Sequence, residues 1–209
     1  MNKKVITFFL LVLLLITSSL KITYAKFTDP ISFIKIETDA LINTFIQDKD
    51  GFFWIGSVNG LYKYDGYTFK QYEAGPDSIV NCYVTSLFED SEGLIWIGTP
   101  TGVSVYNKKT DTFTTFVHDP GDPGSLSNNN INDTKIQSIH EDINGMIWIG
   151  TENGLNKFNK TTQSFTRYQD IFVDNDIWSI YVDKNQFLWI GSVNGLPWRL
   201  YSKNTRLKQ

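Results

Sequence analysis

The chain contains few of the residues that build disulfides, metal centres and catalytic clusters. Its 209 residues include one cysteine and two histidines. The single cysteine, Cys82, excludes an intramolecular disulfide, and we expect it to be a small buried hydrophobe on a strand. His118 and His140 form no recognisable dyad, so we predict no catalytic residue, no metal site and no cofactor. We expect His140 to pack against neighbours or to face a channel.

The sequence also lacks an excess of either charge. It has 19 Lys and Arg residues against 22 Asp and Glu residues, and no stripe of basic residues. Such a balance excludes nucleic acid as a partner, because binding to phosphates requires a positively charged surface.

Long hydrophobic runs are limited to one, at the N-terminus. Lys3 and Lys4 precede the apolar stretch Val5 to Ile16, and the small residues around Ala25 follow it. This order predicts a signal peptide over residues 1–25 and a mature chain over 26–209. We therefore expect a periplasmic or secreted protein, or, as the alternative, one that an uncleaved signal anchors to the inner membrane.

Repetition is what the sequence has in abundance. The phrase Trp-Ile-Gly-Ser/Thr-x-x-Gly-Leu/Val occurs four times, at intervals of roughly 40 residues with one longer gap, which is typical of stacked supersecondary units. The repeated tryptophans and glycines are Trp54, Trp96, Trp148 and Trp189, with Gly56, Gly98, Gly150 and Gly191. Because the phrase recurs in every unit, we assign these positions to packing between units rather than to a ligand.

Each phrase follows a short β-prone stretch that ends in an Asp-x-x-Gly turn. The pairs are Asp48/Gly51, Asp90/Gly93 and Asp142/Gly145, and Asp183 is followed by Gln186 in place of glycine. Asp bonds the backbone of its own turn, and Gly tolerates the positive φ that reverses the chain. The run from Asp48 to Gly51 also looks like the start of a calcium loop, but it lacks the downstream acid, which favours the turn.

Two further β-prone stretches complete each unit, so that four antiparallel strands recur. This pattern predicts an all-β protein, a β-propeller of about four blades at residues 42–72, 84–116, 136–168 and 177–201. Residues 30–37 have the pattern of an outer strand that closes such a ring. Pro197 and the C-terminal TRLKQ depart from the pattern, so we expect the fourth blade to lack its last strand.

The phrase D-x-x-G-x-[IL]-W-I-G-[ST]-x-x-G-[LV]-x-x-[YF] resembles the two-component regulator propeller repeat, found in periplasmic sensor regions of bacterial hybrid histidine kinases. The resemblance extends from about Ile31 to Gly195 and includes the connector His118 to Asn130. It implies a non-enzymatic input domain whose signal a membrane histidine kinase reads. Because family members usually carry many more repeats and a kinase, we expect a truncated member.

A ligand site is expected where the repeats differ, in the turns after the Trp strands. The candidates are Asn59, Thr101, Glu152, Asn153 and Asn194. Their amide and hydroxyl groups suit sugar hydroxyls, the ligand class that the resemblance implies. The alternative is that Asn before Gly only makes a good turn. Two other functions stay open, namely a structural or protein-interaction fragment that associates with other propellers, and a propeller lyase or glycan hydrolase.

Overall fold

The computed structural model describes residues 40–127, 136–169, 171–172, 174–194, 198–201 and 206–208. These belong to one compact unit, Thr38–Gln209. The predicted signal peptide, the predicted closing strand at 30–37 and Pro197 lie outside the described residues. Among those described, no helix is long and apolar enough to cross a membrane.

The described residues form four antiparallel sheets of four strands each, and every sheet is one repeat. We call the sheets blades 1 to 4. Blade 1 contains β1 (Ile42–Gln47), β2 (Phe53–Ser57), β3 (Gly60–Tyr64) and β4 (Phe69–Tyr72). Blade 2 contains β5 (Ser86–Glu89), β6 (Leu94–Thr99), β7 (Gly102–Asn107) and β8 (Thr112–Phe116). Blade 3 contains β9 (Ile136–Glu141), β10 (Ile147–Thr151), β11 (Gly154–Asn159) and β12 (Ser164–Tyr168). Blade 4 contains β13 (Ile177–Val182), β14 (Phe187–Ser192), β15 (Trp198–Tyr201) and β16 (Arg206–Lys208).

In each blade the strands pair in chain order, and the first strands of successive blades contact one another. This arrangement of antiparallel four-stranded sheets confirms the predicted all-β propeller class. The prediction that blade 4 lacks its last strand is wrong, because β16 pairs with β15 through Arg199, Leu200 and Tyr201. Strand pairing uses backbone groups, so it does not need the aromatic pattern of the other outer strands.

The hydrophobic core lies between the blades. Trp54 packs with the Leu87, Ile95 and Ile97 side chains of the next blade, and Trp96 and Trp148 occupy the same place in the next two junctions. These three tryptophans are at most 1% exposed. We call the side of a blade that carries the tryptophan its trailing face, and the opposite side, which meets the preceding tryptophan, its leading face. An apolar strand face on both sides explains why the Trp phrases lack polar alternation.

Each connector between blades contributes buried apolar side chains to its junction. Ile79, Leu126 and Phe172 are buried in the three clusters. Cys82 lies in the first of these connectors and is exposed, so its prediction as a buried strand residue is wrong. The connector leads into β5, and its buried positions are taken by Ile79 and Val84 instead.

The hairpin turns at the Asp positions place their fourth residue in the left-handed region. Gly51, Gly93 and Gly145 have φ of 91°, 82° and 75°, and Gln186 has φ of 68°. A left-handed conformation costs a residue with a side chain about 1–2 kcal/mol. Gln186 therefore retains the turn at an energetic cost that glycine avoids.

We expect Gln186→Gly to raise the free energy of unfolding by about 0.5–1 kcal/mol, since the strain removed exceeds the added entropy of the unfolded chain. Urea titration followed by tryptophan fluorescence measures the change. Gln186→Ala is the matched control and should give no gain, because alanine meets the same backbone demand. A loss of stability in Gln186→Gly would contradict this account of the turn.

Candidate functional site

The turns that differ between repeats lie at one end of the blades, together with the connectors. We call this end the rim, and the end that carries the Asp turns the hairpin end. Connector and turn are joined by backbone hydrogen bonds, as in blades 3 and 4, where Gly154 N donates to Asn175 O at 2.7 Å and Val193 N donates to Asp176 O at 3.3 Å. At the junction of blades 3 and 4 the rim is therefore a continuous surface.

Two of the predicted site residues are built into the rim in the same way. The backbone amides of Asn59 and Asn153 donate to Ser57 Oγ and Thr151 Oγ1, at 3.0 and 3.1 Å. Their carbonyl oxygens accept from Gln71 and Gln169 of the outer side, both at 3.1 Å. The backbone of each turn is thus fixed, and Asn59 is exposed at its tip.

The other predicted residues lie in less uniform surroundings. Thr101 has a buried hydroxyl oxygen that bonds no group in the described part of the chain. Glu152 is half-buried. Asn194 is exposed, and its side-chain amide donates to Asp174 Oδ2 at 2.8 Å. The structure therefore pairs Asn194 with a connector residue that the sequence analysis missed.

Asp174 and Asp176 lie on the rim where the connector enters blade 4. Asp174 Oδ1 accepts the backbone amide of Asp176 at 3.0 Å. Asp176 Oδ1 is buried, and among the described residues no group donates to it. A buried carboxylate oxygen without a donor is costly, and a bound hydroxyl group would relieve that cost. The only sequence signal for these residues is the run Asp174-Asn175-Asp176, which lies outside the repeated phrases.

An arginine of blade 3 holds the preceding connector by hydrogen bonds. Arg167 donates from Nε to Ser125 O at 2.8 Å and from Nη2 to Ser125 Oγ and Asp122 O at 2.6 and 2.8 Å. Asn156 on β11 also accepts the Ser127 amide at 2.9 Å. Ser125 to Ser127 are buried, so this part of the connector packs against blade 3 and offers little to a ligand.

The hairpin end has a different structure, a clasp between aspartate and tryptophan in every blade. One oxygen of Asp90 accepts the backbone amides of Glu92 and Leu94, and the other accepts the Trp96 indole at 2.9 Å. The same indole bond measures 2.9 Å at Asp48, 3.0 Å at Asp142 and 2.8 Å at Asp183. Each aspartate thus holds both its own turn and the tryptophan that fills the core.

Two lysines connect the clasp of one blade to the next blade. Lys108 Nζ lies 2.6, 2.8 and 3.3 Å from the carboxylates of Asp50, Glu89 and Asp48. Lys160 of blade 3 repeats this arrangement with Asp90, Glu92 and Glu141, at 2.9, 3.1 and 2.8 Å. At the third junction Val182 replaces the glutamate at the end of the first strand.

These contacts shift the ionisation of the groups that make them. Burial on its own lowers the pKa of Lys108, but bonds to Asp50 and Glu89 and the charge of Asp48 outweigh it and raise the pKa above its ordinary value. Burial likewise raises the pKa of Asp48, yet the indole and amide donors and Lys108 bring that pKa below its ordinary value. Both groups are therefore held in their charged forms at neutral pH.

A cleft of about 800 Å³ opens beside this cluster, between the hairpins of blades 1 and 2. Its charged lining includes Lys49, Glu89 and Lys108. Lys49 Nζ donates to the Asp90 carbonyl at 2.8 Å, and its amide donates to Glu89 Oε2 at 2.8 Å. These charged groups thus bond one another across the junction between blades 1 and 2.

The two histidines lie in separate places. His118 Nδ1 is 2.7 Å from the Leu126 carbonyl in the connector. His140 lies on β9 with its ring between Phe88 and Tyr181, at 5.4 and 6.5 Å, and burial lowers its pKa. Within the described ranges no group of three or more His, Cys, Asp and Glu side chains is placed to hold a metal ion.

Four-stranded sheets that pack face to face, with their first strands in contact, define a β-propeller. Residues 37–59, 78–101, 125–153 and 171–194 match the family model "Two component regulator propeller". The chain belongs to this family, as its repeats and its fold both show. No curated protein matches the sequence.

Solved structures of similar fold include two extracellular domains of putative hybrid two component systems. The extracellular domain of the putative hybrid two component system BT3049 from B. thetaiotaomicron has 25% identity and a TM-score of 0.73, over 85% of this chain and 26% of that one. The corresponding domain of BT4673 from the same organism has 27% identity and a TM-score of 0.59, over 72% of this chain and 20% of that one. This chain therefore spans about a quarter or less of these relatives.

A virginiamycin B lyase from Staphylococcus aureus is also similar, with 16% identity and a TM-score of 0.65 over 82% of this chain and 56% of that one. At this identity the likeness concerns the fold alone. It carries no catalytic residue over to this chain.

Proposed function

We propose that this chain is a non-catalytic, extracytoplasmic ligand-binding propeller that serves as part of the input module of a hybrid two-component system. Its similarity to the extracellular domains of two putative hybrid two component systems supports the class of function. The location outside the cytoplasm agrees with those relatives. Each of them is several times longer than the matched region, so the signalling role of the whole protein is part of the proposal.

The observation that carries the proposal is the polar rim at the junction of blades 3 and 4. There Asp176 has a buried oxygen without a donor, and the exposed Asn194 amide bonds Asp174. Carboxylates and amides together accept from and donate to hydroxyl groups, which is the pattern that a carbohydrate presents. We propose a small carbohydrate as the ligand, bound at the rim through these groups and through the predicted Asn153 and Glu152.

Signal transfer then follows from a change in the contacts of the connector. A ligand that bonds Asp176 and Asn194 fixes the connector relative to the turn of blade 4, and it shifts the protein toward the arrangement that it binds more tightly. A membrane histidine kinase is proposed to read that shift. In this scheme the propeller binds the ligand and shifts between two arrangements, and it supplies no catalytic group.

A binding experiment tests this proposal. We expect at least one member of a panel of neutral and acidic oligosaccharides to raise the melting temperature of the exported chain, with affinity then measured by calorimetry. Asn194→Ala should weaken that affinity about tenfold, the loss that corresponds to one hydrogen bond to a charged network.

Lys109→Ala is the matched control, because Lys109 is an exposed residue at the hairpin end, away from the rim. It should leave the affinity unchanged. The proposal fails if no saccharide shifts the melting temperature, and the assignment to the rim fails if Lys109→Ala weakens binding as much as Asn194→Ala does.

A further inference from the structure

The described blades have two outer faces that no other described blade covers. One is the leading face of blade 1, where Ile42 and Phe45 are 49% and 68% exposed. The other is the trailing face of blade 4, where Trp178 and Tyr181 are 58% and 59% exposed. Large apolar side chains at such exposures are unusual on a sheet face and indicate an interaction surface.

The internal junctions show what each exposed position on blade 1 normally meets. Phe45 pairs with Ile55 in the register that Leu87, Ile139 and Ile180 share in the later blades. Those three residues are at most 8% exposed, because the tryptophan side of the preceding blade covers them. Phe45 therefore occupies a position that elsewhere in this chain is always covered by a trailing face.

The trailing face of blade 4 carries the other half of such a junction. At the position of Trp178, the Thr85 hydroxyl of blade 2 donates across the junction to the Ile136 carbonyl at 2.6 Å. At the position of Tyr181, the Phe88 ring of blade 2 lies 5.4 Å from the His140 ring of blade 3. Trp178 and Tyr181 therefore occupy positions whose counterparts in blade 2 contact the next blade.

The space beside Gly191 also shows that no described blade covers the trailing face of blade 4. A Cβ at Gly56, Gly98 or Gly150 would collide with the β-branched side chain of the next blade, namely Val84, Ile136 or Ile177. Among the described residues, a Cβ at Gly191 would meet only Ser179 of its own blade, at 3.7 Å. Ile42 holds the corresponding β-branched position on blade 1 and is half exposed. The two outer faces therefore carry the two halves of one junction.

We propose that the chain associates head to tail with a second copy of itself, the trailing face of blade 4 receiving the leading face of blade 1. Ile42 of the second copy would lie against Gly191, and its Phe45 against Trp189. Such a heterologous contact closes into a ring when the rotation per copy allows it. Two copies of the four described blades would supply eight, within the range of about 4–8 that propellers adopt.

The chemistry of this contact differs from that of the first two internal junctions. Blade 1 has Gln47 where blade 2 has Glu89, and Gly66 where blade 2 has Lys108, so it brings no ion cluster to the Asp183 clasp. The contact is apolar, and it should persist when the salt concentration is raised. Since no ligand takes part in this contact, the test of self-association is independent of the test of carbohydrate binding.

Two charge substitutions test the proposal, one on each face. Phe45→Glu removes the leading half and Trp178→Glu the trailing half, and both sites are exposed enough for the variants to fold, which circular dichroism and thermal melting verify. We expect the full chain to sediment as a dimer at micromolar concentration and each variant alone to sediment as a monomer. Ile143→Glu, at an apolar residue 57% exposed on the blade 3 hairpin, should leave the dimer intact.

A mixture of the Phe45→Glu and Trp178→Glu variants tests whether the two faces bind each other. Each retains the half that the other has lost, so an equimolar mixture should restore one junction and yield a dimer of one copy of each. A full chain that stays monomeric at up to about 100 μM would overturn the proposal, since the dimer is expected at about micromolar concentration, roughly a hundredfold lower. Failure of the mixture to dimerise, or equal loss of dimer in Ile143→Glu, would overturn it as well.

Discussion

Replacing Asp90 by asparagine should unfold the junction between blades 2 and 3 at markedly lower urea concentration. Asp90 Oδ2 accepts the Trp96 indole and contacts Lys160, both at 2.9 Å, and the residue is fully buried. In asparagine one of these oxygens becomes an amide group, which would face the indole donor or the turn amides. We expect a loss of about 2–4 kcal/mol in the free energy of unfolding, since a buried ion pair has lost one partner.

Asp183→Asn is the matched control. Asp183 makes the same indole and amide bonds, and these donors hold its pKa below its ordinary value. Trp189 is only half-buried, and within the described residues no lysine of a following blade reaches this aspartate. The effect should therefore be much smaller. Equal losses in the two variants, within about 0.5 kcal/mol, would show that the clasp acts locally and that the ion cluster adds nothing.

Gly98→Ala and Gly191→Ala should change stability in opposite directions. A Cβ on Gly98 would lie 2.7 Å from Ile136 Cγ2 and would also strike Ser86 Oγ, so blades 2 and 3 would have to separate. Overpacking of this kind costs about 1–3 kcal/mol. Gly191 has room for a methyl group, and alanine there should raise stability by about 0.4–1 kcal/mol through the lower entropy of the unfolded chain.

Both glycine variants are best measured in the Phe45→Glu background, where a second copy cannot occupy the space beside Gly191. Urea midpoints followed by tryptophan fluorescence give the comparison. If Gly98→Ala were as stable as Gly191→Ala, the glycine of the repeated phrase would not be required by the approach of the next blade. In the background without Phe45→Glu, Gly191→Ala should weaken the dimer.

The sequence allowed the strands, the turns and the blade architecture to be predicted, because each depends on residues close together in the chain. The Asp48–Gly51 turn and the Trp54 strand are read from a stretch of a few residues, and repetition strengthens that reading. At Cys82 the prediction from local sequence was wrong. Its neighbours Asn81 and Tyr83 contain no signal to show that the strand begins only at Ser86.

The rim was only partly predictable. Asn194 could be predicted because the turns differ between repeats, whereas Asp174 and Asp176 lie in a connector outside the repeated phrases and were not predicted. Their importance depends on a hydrogen bond across 20 positions of sequence and on burial that removes other donors. Ligand binding by Asn59, Thr101, Glu152, Asn153 and Asn194 remains a prediction that the calorimetry tests.

The sequence by itself determined that this chain is a propeller of repeated four-stranded blades, because strand patterns and turn residues act locally and recur. Only the tertiary structure decided how the blades join. Lys108 reaches Asp48 across 60 positions, Ile136 sets the size limit at Gly98, and the apolar faces of blades 1 and 4 are exposed in matching halves. Contacts of this kind depend on how one sheet lies on the next, and that placement is not encoded within any one repeat.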